Sequence, residues 1–405
     1  MKIAIVNLVT RTVHIDETTS VFGAFKLPRP RIESDEDADI VQLGLALATQ
    51  GHNVTIYASD AFLPAHSIGA TNKGLSIEYL RTRLTQVFPY SYYPFTPGLL
   101  SKLLDNHYDI VQSGEFFQLG TLISAIAGSI GRLPCVVWQE ISRELRFPAS
   151  LVQESYYRSL GKFVEQKVSI FVPRSYAARQ WLIGRRIAAS KISSVVHSGF
   201  SSRIFHPLEG NAGLKSRFGV PQDNVLIVSV GRLHPDKGHE ELIRAFRVVV
   251  NESPRVSLII AGEGPQAKHL ADLIAKMKLQ KHVRLIGWLP KTQLNQLYNA
   301  CDFTALVSKR ELFPYALIES FACGKPIIHS FPGHESEIGA DGHASLYVRY
   351  GDIQSLAQRM SFLIRNSDVR KSMGSNALHI ANEEYNLTVV ARRLSNIYEE
   401  CLTKA

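Results

Sequence analysis

With 405 residues, 45% of them hydrophobic, the chain exceeds what one core organises, because single cores stop growing at roughly 250–300 residues; two domains are expected. A formal charge of +9 gives a surface that attracts anions without choosing among nucleic acid, phosphorylated small molecules and acidic membranes. The four cysteines, Cys135, Cys301, Cys323 and Cys401, show no C-x-x-C spacing, which argues against a zinc site or disulfide framework and fits a reducing, cytoplasmic compartment.

The N-terminal "MKIAIVNLV" has one lysine, a short apolar run and no small-residue cleavage site, and reads as a buried strand rather than a signal peptide. The acidic "ESDEDAD" at 33–39 contains a D-x-D string, but it precedes the helical "IVQLGLALA", where acids complement the helix dipole; no metal is expected. "HNVTIYAS", "YDIVQSG", "LPCVVWQ" and "VSIFVPRS" read as strands, with "LGTLISAIAGSIG" at 119–131 a helix too short to span a bilayer, which takes about 20 residues. A connector containing "FHPLEGNAG" follows, and "NVLIVSVGRL", "HEELIRAFRVVV", "VSLIIAGEGP", "HVRLIGWL", "QLNQLYNAC", "DFTALVS" and "PIIHS" begin a second alternating series. Strands apolar on both faces, alternating with helices, predict parallel sheets covered by helices: an α/β chain of two Rossmann-like, doubly wound domains. The expected boundaries are 1–198 and 199–385, with 386–405 a C-terminal helix for which packing back on the N-terminal domain is one placement.

Ligands of open parallel sheets sit beyond the carboxyl ends of the strands, so strand-end residues are the candidates. "GRLHPDKG" carries Gly231, Arg232 and Lys237 ahead of a helix N-terminus; two cations and a helix start favour a diphosphate, the plain alternative being two solvated surface charges. "GEGP", with Gly264, lacks the third glycine of a dinucleotide fingerprint and is equally a tight turn, as is the stretch 287–290. "ELFPYALIESFACGKPII" puts Glu311 on a loop and Glu319 on a helix, with seven residues between them, Pro314 near the helix start and Gly324 as its stop. Carboxylates only accept hydrogen bonds, so such a pair suits a hydroxyl-rich ligand, and backbone N–H groups around Phe313, Tyr315, Ala316 and Leu317 suit phosphate oxygens. The plain alternative is a loop charge plus a helix-start acid.

These residues resemble the retaining glycosyltransferases of family four, which have the GT-B fold of two Rossmann-like domains facing each other across a cleft. The resemblance runs through "VVHSGFSSRIFHP", "VGRLHPDKG", "IIAGEGP", "VRLIGWL", "LYNACDFTALVSKRELFPYALIESFACGKPII" and "GHESEI". It implies that Arg232 and Lys237 hold the diphosphate of a nucleotide-sugar donor, such as a UDP- or GDP-hexose, that Glu311 contacts the transferred sugar and that Glu319 binds the ribose. It implies no metal, since two fixed cations and a helix N-terminus stabilise the leaving group. Retention then follows front-face attack beside the departing phosphate, without a glycosidase-like carboxylate pair.

The sequence departs from the family pattern in several places. Leu312 and Pro314 stand where the family's loop commonly has glycines, the glycine pair after the first strand is absent, "DIVQSGEFF" lacks the usual histidines, and Glu140 in "VVWQEIS" stands at the family's catalytic-side histidine. Glu140 is read as an active-site acid that orients an acceptor hydroxyl or the donor sugar, against a plain strand-end acid. For the acceptor, a glycan or lipid-linked molecule of the cell envelope, two stretches stand out. "QVFPYSYYPFTPGLL" at 86–100 is rich in aromatics, and the segment 143–191 holds ten Arg or Lys against three Glu. Aromatics beside cations suit carbohydrate stacking or an anionic membrane surface, the alternative being an irregular loop with its own small core. Two rival classes remain: a nucleotide-sugar epimerase on the same architecture, and a non-enzymatic anion or nucleic-acid binder. The basic segment carries no nucleic-acid motif, and no nucleic-acid partner is expected.

Overall fold

The computed structural model describes residues 1–8, 38–60, 71–72, 74–84, 94–141, 149–210, 213–309, 311, 314–331 and 335–404. They form two compact units, Met1–His197 with Leu387–Ala405 and Ser198–Asn386.

The first unit contains β1 (Lys2–Val6), β2 (Asn53–Ser59), β3 (Thr71–Asn72), β4 (Leu75–Leu80), β5 (Ile110–Gly114), β6 (Cys135–Gln139) and β7 (Ile170–Pro173), in the order β3-β4-β2-β1-β5-β6-β7. All neighbours are parallel except the short edge strand β3, which runs antiparallel to β4. Alternate residues of β1 serve opposite faces, as a pleated strand requires. Ile3 and Ile5 pack with Leu43 and Leu47 of the helix Asp39–Thr49, while Ala4 and Val6 join Leu103, Ala125 and Leu182. Burial of both faces is why these strands are Val/Ile-rich without polar alternation.

One polar residue interrupts that rule. Gln112, in the middle of β5, is buried, and its Oε1 accepts from the Tyr398 hydroxyl at 2.5 Å. Tyr398 belongs to the last helix, Leu387–Thr403, whose Val390 and Leu394 are fully buried in the same core as Ile3 and Ile5. Ser395 of that helix meets His52 Nε2 at 2.9 Å and donates to Gln50 Oε1 at 3.0 Å.

The second unit contains β8 (Val225–Val230), β9 (Val256–Ala261), β10 (Val283–Leu285), β11 (Phe303–Leu306), β12 (Ile327–His329) and β13 (Ser345–Tyr347), all parallel, in the order β10-β9-β8-β11-β12-β13. Ile227 faces Leu242 and Phe246 of the helix His239–Glu252, whereas Leu226 and Val228 face Leu297 on the other side. Apart from the edge strand β3, both sheets wind outward in two directions from a central strand, β1 or β8. The strand order reverses beside β5 in one unit and beside β11 in the other. Loops at such reversals diverge and leave room for a ligand at the strands' carboxyl ends.

The segment 143–191 is regular where described: helices Ala149–Arg158, Leu160–Lys167 and Tyr176–Gly184 surround β7. It is not an irregular loop, because Val164, Phe171 and Leu182 all enter one face of the first unit's core. The acidic run at 33–37, the aromatic stretch at 86–93 and Phe313 lie outside the described residues.

Candidate active site

In the second unit the reversal falls between β8 and β11. After β8 the chain passes through Gly231, Arg232 and Leu233 into a single 3-10 turn, Pro235–Lys237, capped by His234, whose Nδ1 accepts from the Asp236 N–H at 3.3 Å. Gly238 follows with φ of 65° and starts the helix His239–Glu252. A Cβ on Gly238 would lie 2.0 Å from the Val307 carbonyl oxygen, so only glycine lets this turn touch the end of β11.

Across that contact the two loops are joined. The Lys309 N–H donates to the Asp236 carbonyl at 2.8 Å, and Lys237 Nζ donates to Glu311 Oε1 at 2.5 Å. Ser308 Oγ donates to the same carboxylate oxygen at 2.7 Å, and its own carbonyl is held by Ser330 Oγ at 2.8 Å. The ion pair is largely sheltered, with side-chain exposures of 18% for Lys237 and 9% for Glu311. Among the described residues the Arg232 guanidinium, part-exposed on the same loop, has no hydrogen bond or ion pair.

Behind this loop sits a residue the sequence reading passed over. His239 is fully buried; burial lowers its imidazole to about 4 although a bond to the Arg232 carbonyl favours the proton. The neutral ring therefore donates from Nε2 to that carbonyl at 3.1 Å and leaves Nδ1 3.5 Å from Ser229 Oγ. Its only sequence signal is a histidine opening a helix directly after a glycine.

Gly262 and Gly264 are required by backbone packing. Gly262, at φ 148°, would place a Cβ 1.9 Å from the Gly231 carbonyl oxygen, and Gly264, at φ 157°, 2.4 Å from that of Leu233. The backbones lock together, with the Gly231 N–H donating to Ala261 O at 3.0 Å and the Leu233 N–H to Glu263 O at 2.9 Å. Gly231 is the opposite case: the nearest atoms to an added Cβ are His239 Nε2 at 3.9 Å and Lys237 Cδ at 4.0 Å. Among the described residues no atom demands glycine there.

The helix Tyr315–Ala322 starts at Pro314, which accepts from the Leu317 N–H at 3.1 Å. Leu317 is itself fully buried in the core, while Tyr315 and Ala316 are part-exposed in the first turn. Glu319 is buried, and its Oε2 accepts from the Tyr298 hydroxyl at 3.0 Å. Burial, and then the charge of Glu319, hold that phenol well above its ordinary range, so it remains the donor.

In the first unit Glu140 stands immediately after β6. Its Oε2 pairs with Arg174 Nη1, and the guanidinium lies 4.3 Å above the Trp138 ring. Beside it is Glu115, at the end of β5, also missed in the sequence. Its carboxyl group accepts from the backbone of Glu140 and Ile141.

Residues 214–379 match the family described as "Glycosyl transferases group 1". The chain is 28% identical over 274 residues to a D-inositol 3-phosphate glycosyltransferase of Thermobispora bispora, covering 65% of this chain and 63% of that one, less than two thirds of the relative's length. It is 24% identical over 393 residues to the protein of the same name from Corynebacterium glutamicum, covering 90% and 91%. Among solved structures, Anabaena HepE in complex with UDP has a TM-score of 0.73 at 18% identity over 99% of this chain and 100% of that one. A glycosyltransferase of Rickettsia africae has 0.73 at 18% over 100% and 99%. At these identities the likeness is one of fold.

The glycine geometry separates two variants. Gly262→Ala should lower the thermal midpoint measurably, since its Cβ meets backbone at 1.9 Å, whereas Gly231→Ala should leave the midpoint within about a degree. Equal midpoints would contradict the packing. The His239 imidazole carries a pH dependence. An unfolded chain binds its proton below 6.5, while the folded protein does so only near 4, so stability is complete above pH 6.5 and is lost as pH falls towards 4. Comparison of urea unfolding with His239→Gln at pH 7 and pH 4 should show a difference that changes by roughly 3 kcal/mol; a constant difference would rule out the neutral buried ring.

Proposed function

We propose that the chain is a GT-B glycosyltransferase of family four that transfers a hexose, with retention, from a nucleotide-diphosphate sugar to an acceptor hydroxyl; the match of residues 214–379 and the GT-B likeness support this reading. One observation carries this reading: Lys237 and Glu311, from different strand-end loops, meet at 2.5 Å, and Arg232, on the same loop as Lys237 and Gly231, has no side-chain partner among the described residues. An ammonium has three donors, of which Glu311 and a diphosphate oxygen can each take one. Arg232 supplies the second fixed cation, and the start of the helix His239–Glu252 a favourable dipole. The developing charge on the leaving diphosphate is thereby neutralised without a metal. The Glu311 carboxylate accepts from hydroxyls of the sugar, Glu319 from the ribose, and the Tyr315 and Ala316 N–H groups face phosphate oxygens. Attack from the leaving-group side lets the departing phosphate take the acceptor's proton, so retention needs no carboxylate nucleophile.

Glu140 serves the acceptor side in this proposal, orienting a hydroxyl with its carboxylate. HepE, crystallised with UDP-glucose, favours a uridine donor, with GDP-hexose as the alternative. Relatives named for inositol 3-phosphate favour a phosphorylated polyol beside the glycan and lipid-linked acceptors of envelope synthesis. An anionic membrane fits the helices Ala149–Arg158 and Leu160–Lys167. They leave Leu151 and Val152 62% exposed and Leu160 49% exposed, alongside the exposed cations Arg158, Lys162 and Lys167. No helix among the described residues is long and apolar enough to cross a bilayer.

Thermal shift with UDP, GDP and ADP checks the donor site. A nucleotide at a hundred times its Kd adds about 2.7 kcal/mol, a rise of several degrees, and Arg232→Ala should abolish most of it. No shift with any of the three would contradict the donor site. For the membrane, phosphatidylglycerol vesicles should sediment the protein at low salt, with Leu151→Glu/Val152→Glu weakening capture at least fivefold; protein that stays in the supernatant refutes that part.

A further inference from the structure

Three strand ends of the first unit, those of β5, β6 and β7, converge on one small network of charged groups. At its centre is Glu115. Its backbone is left-handed, with φ of 54°, a conformation that costs a non-glycine residue on the order of 1–2 kcal/mol. Several bonds hold it there. Thr121 Oγ1 donates to the Gly114 and Glu115 carbonyls at 2.8 and 2.7 Å, the Phe116 N–H donates to Gln139 Oε1 at 2.7 Å, and the Glu115 N–H to the Trp138 carbonyl at 3.3 Å. Backbone strain maintained by its surroundings in this way tends to mark residues with a task.

The side chain reaches across to β6. Oε1 accepts from the Glu140 N–H at 3.1 Å; Oε2 accepts from the Ile141 N–H at 3.0 Å and from Gln139 Nε2 at 2.7 Å. Every described group aimed at this carboxyl from the turn is an N–H donor, so the turn is shaped for a side chain with two accepting oxygens. Gln139 Nε2 also donates to the Ile141 carbonyl at 2.8 Å, closing the turn on itself. The Glu140 carboxylate is steered by Arg174, itself stacked on Trp138 and tied through its carbonyl to His197 Nδ1 at 3.0 Å.

We infer that Glu115 is a positioning residue: by holding the backbone of Gln139–Ile141 through three N–H donors, it fixes the direction in which Glu140 presents its carboxylate. This rests on the reading of Glu140 as an active-site acid. The charge pattern is consistent with it. Burial, and then the neighbouring Glu140 charge, raise Glu115 to about 8 against the pull of the Ile141 N–H and Arg174. The charged and titratable groups around it are Glu140 and Arg174, with His197 behind Arg174 and the Tyr156 hydroxyl donating to the Phe116 carbonyl at 3.1 Å. Among the described residues Glu140 is paired with the Arg174 guanidinium, and Glu115 beside it keeps its proton near neutral pH. The single proton held on Glu115 uses one lone pair of the carboxyl, and the remaining lone pairs still accept from the three N–H donors. Glutamine at this position would not reproduce them, because its NH2 must turn towards at least one N–H donor.

The test is a set of variants assayed for turnover of UDP-glucose. Glu115→Gln should lower kcat tenfold or more with KM for UDP-glucose within twofold, and Glu115→Asp, which keeps a carboxyl with two accepting oxygens, should recover part of the loss. Placed on a Glu140→Gln background, Glu115→Gln should cost less than twofold, since the carboxylate it positions is already gone. Amide exchange at Glu140 and Ile141 should speed up at least tenfold in Glu115→Gln while the rest of the sheet keeps its protection. Wild-type kcat in Glu115→Gln, a loss carried by KM, or an equal loss in both backgrounds would overturn the inference. Wild-type kcat in Glu140→Gln would instead remove the role given to Glu140 itself, with the exchange measurement still reporting whether Glu115 holds the turn.

Discussion

A lysine from the loop after β8 and a glutamate from the loop after β11 meet at 2.5 Å, and the chemistry assigned to this protein depends on that meeting. It is secured by backbone rather than by the charges alone. Gly238 allows the first loop to touch Val307, the Lys309 N–H bonds to Asp236, and Ser308 shares the Glu311 oxygen. A sheltered ion pair contributes little net stability, because desolvation offsets much of its attraction. Its value here is positional: it holds a cation and a carboxylate at fixed places, with a second cation on the same loop.

The two sheets solve the same problem with different residues. In the second unit the strand ends around the reversal carry Arg232, Lys237 and Glu311, a set suited to a diphosphate and a hydroxyl-rich group. In the first, the corresponding rim carries Glu115, Glu140 and Arg174, a set in which the Glu140 carboxylate is paired with the guanidinium and Glu115 is held by backbone N–H groups. A common winding thus presents chemically distinct rims.

The alternation of apolar strands and periodic helices was legible because parallel strands are buried on both faces, and that single fact makes them continuous Val/Ile runs. Arg232, Lys237, Glu311 and Glu319 could be singled out as candidates because they lie on loops that follow strands or on the helix after one. What the sequence concealed depends on contacts between distant segments. The glycines of "GEGP" resemble a ligand loop, but their φ values and the 1.9 Å and 2.4 Å approaches tie them to Gly231 and Leu233. His239 acts through a carbonyl seven positions earlier, and nothing local marks it. Glu115 was hidden for a plainer reason. In "DIVQSGEFF" the missing histidines draw the eye, and only the fold brings that glutamate to a turn 25 residues away. Leu317, read as a contact of the ligand, is buried, and its N–H is already used by Pro314.

A crystal structure of the protein with UDP tests the central claim most directly. The account predicts the diphosphate within hydrogen-bonding reach of both Arg232 and Lys237, over Gly231, with the ribose hydroxyls at Glu319. A diphosphate bound elsewhere, with Lys237 and Arg232 untouched, would contradict it.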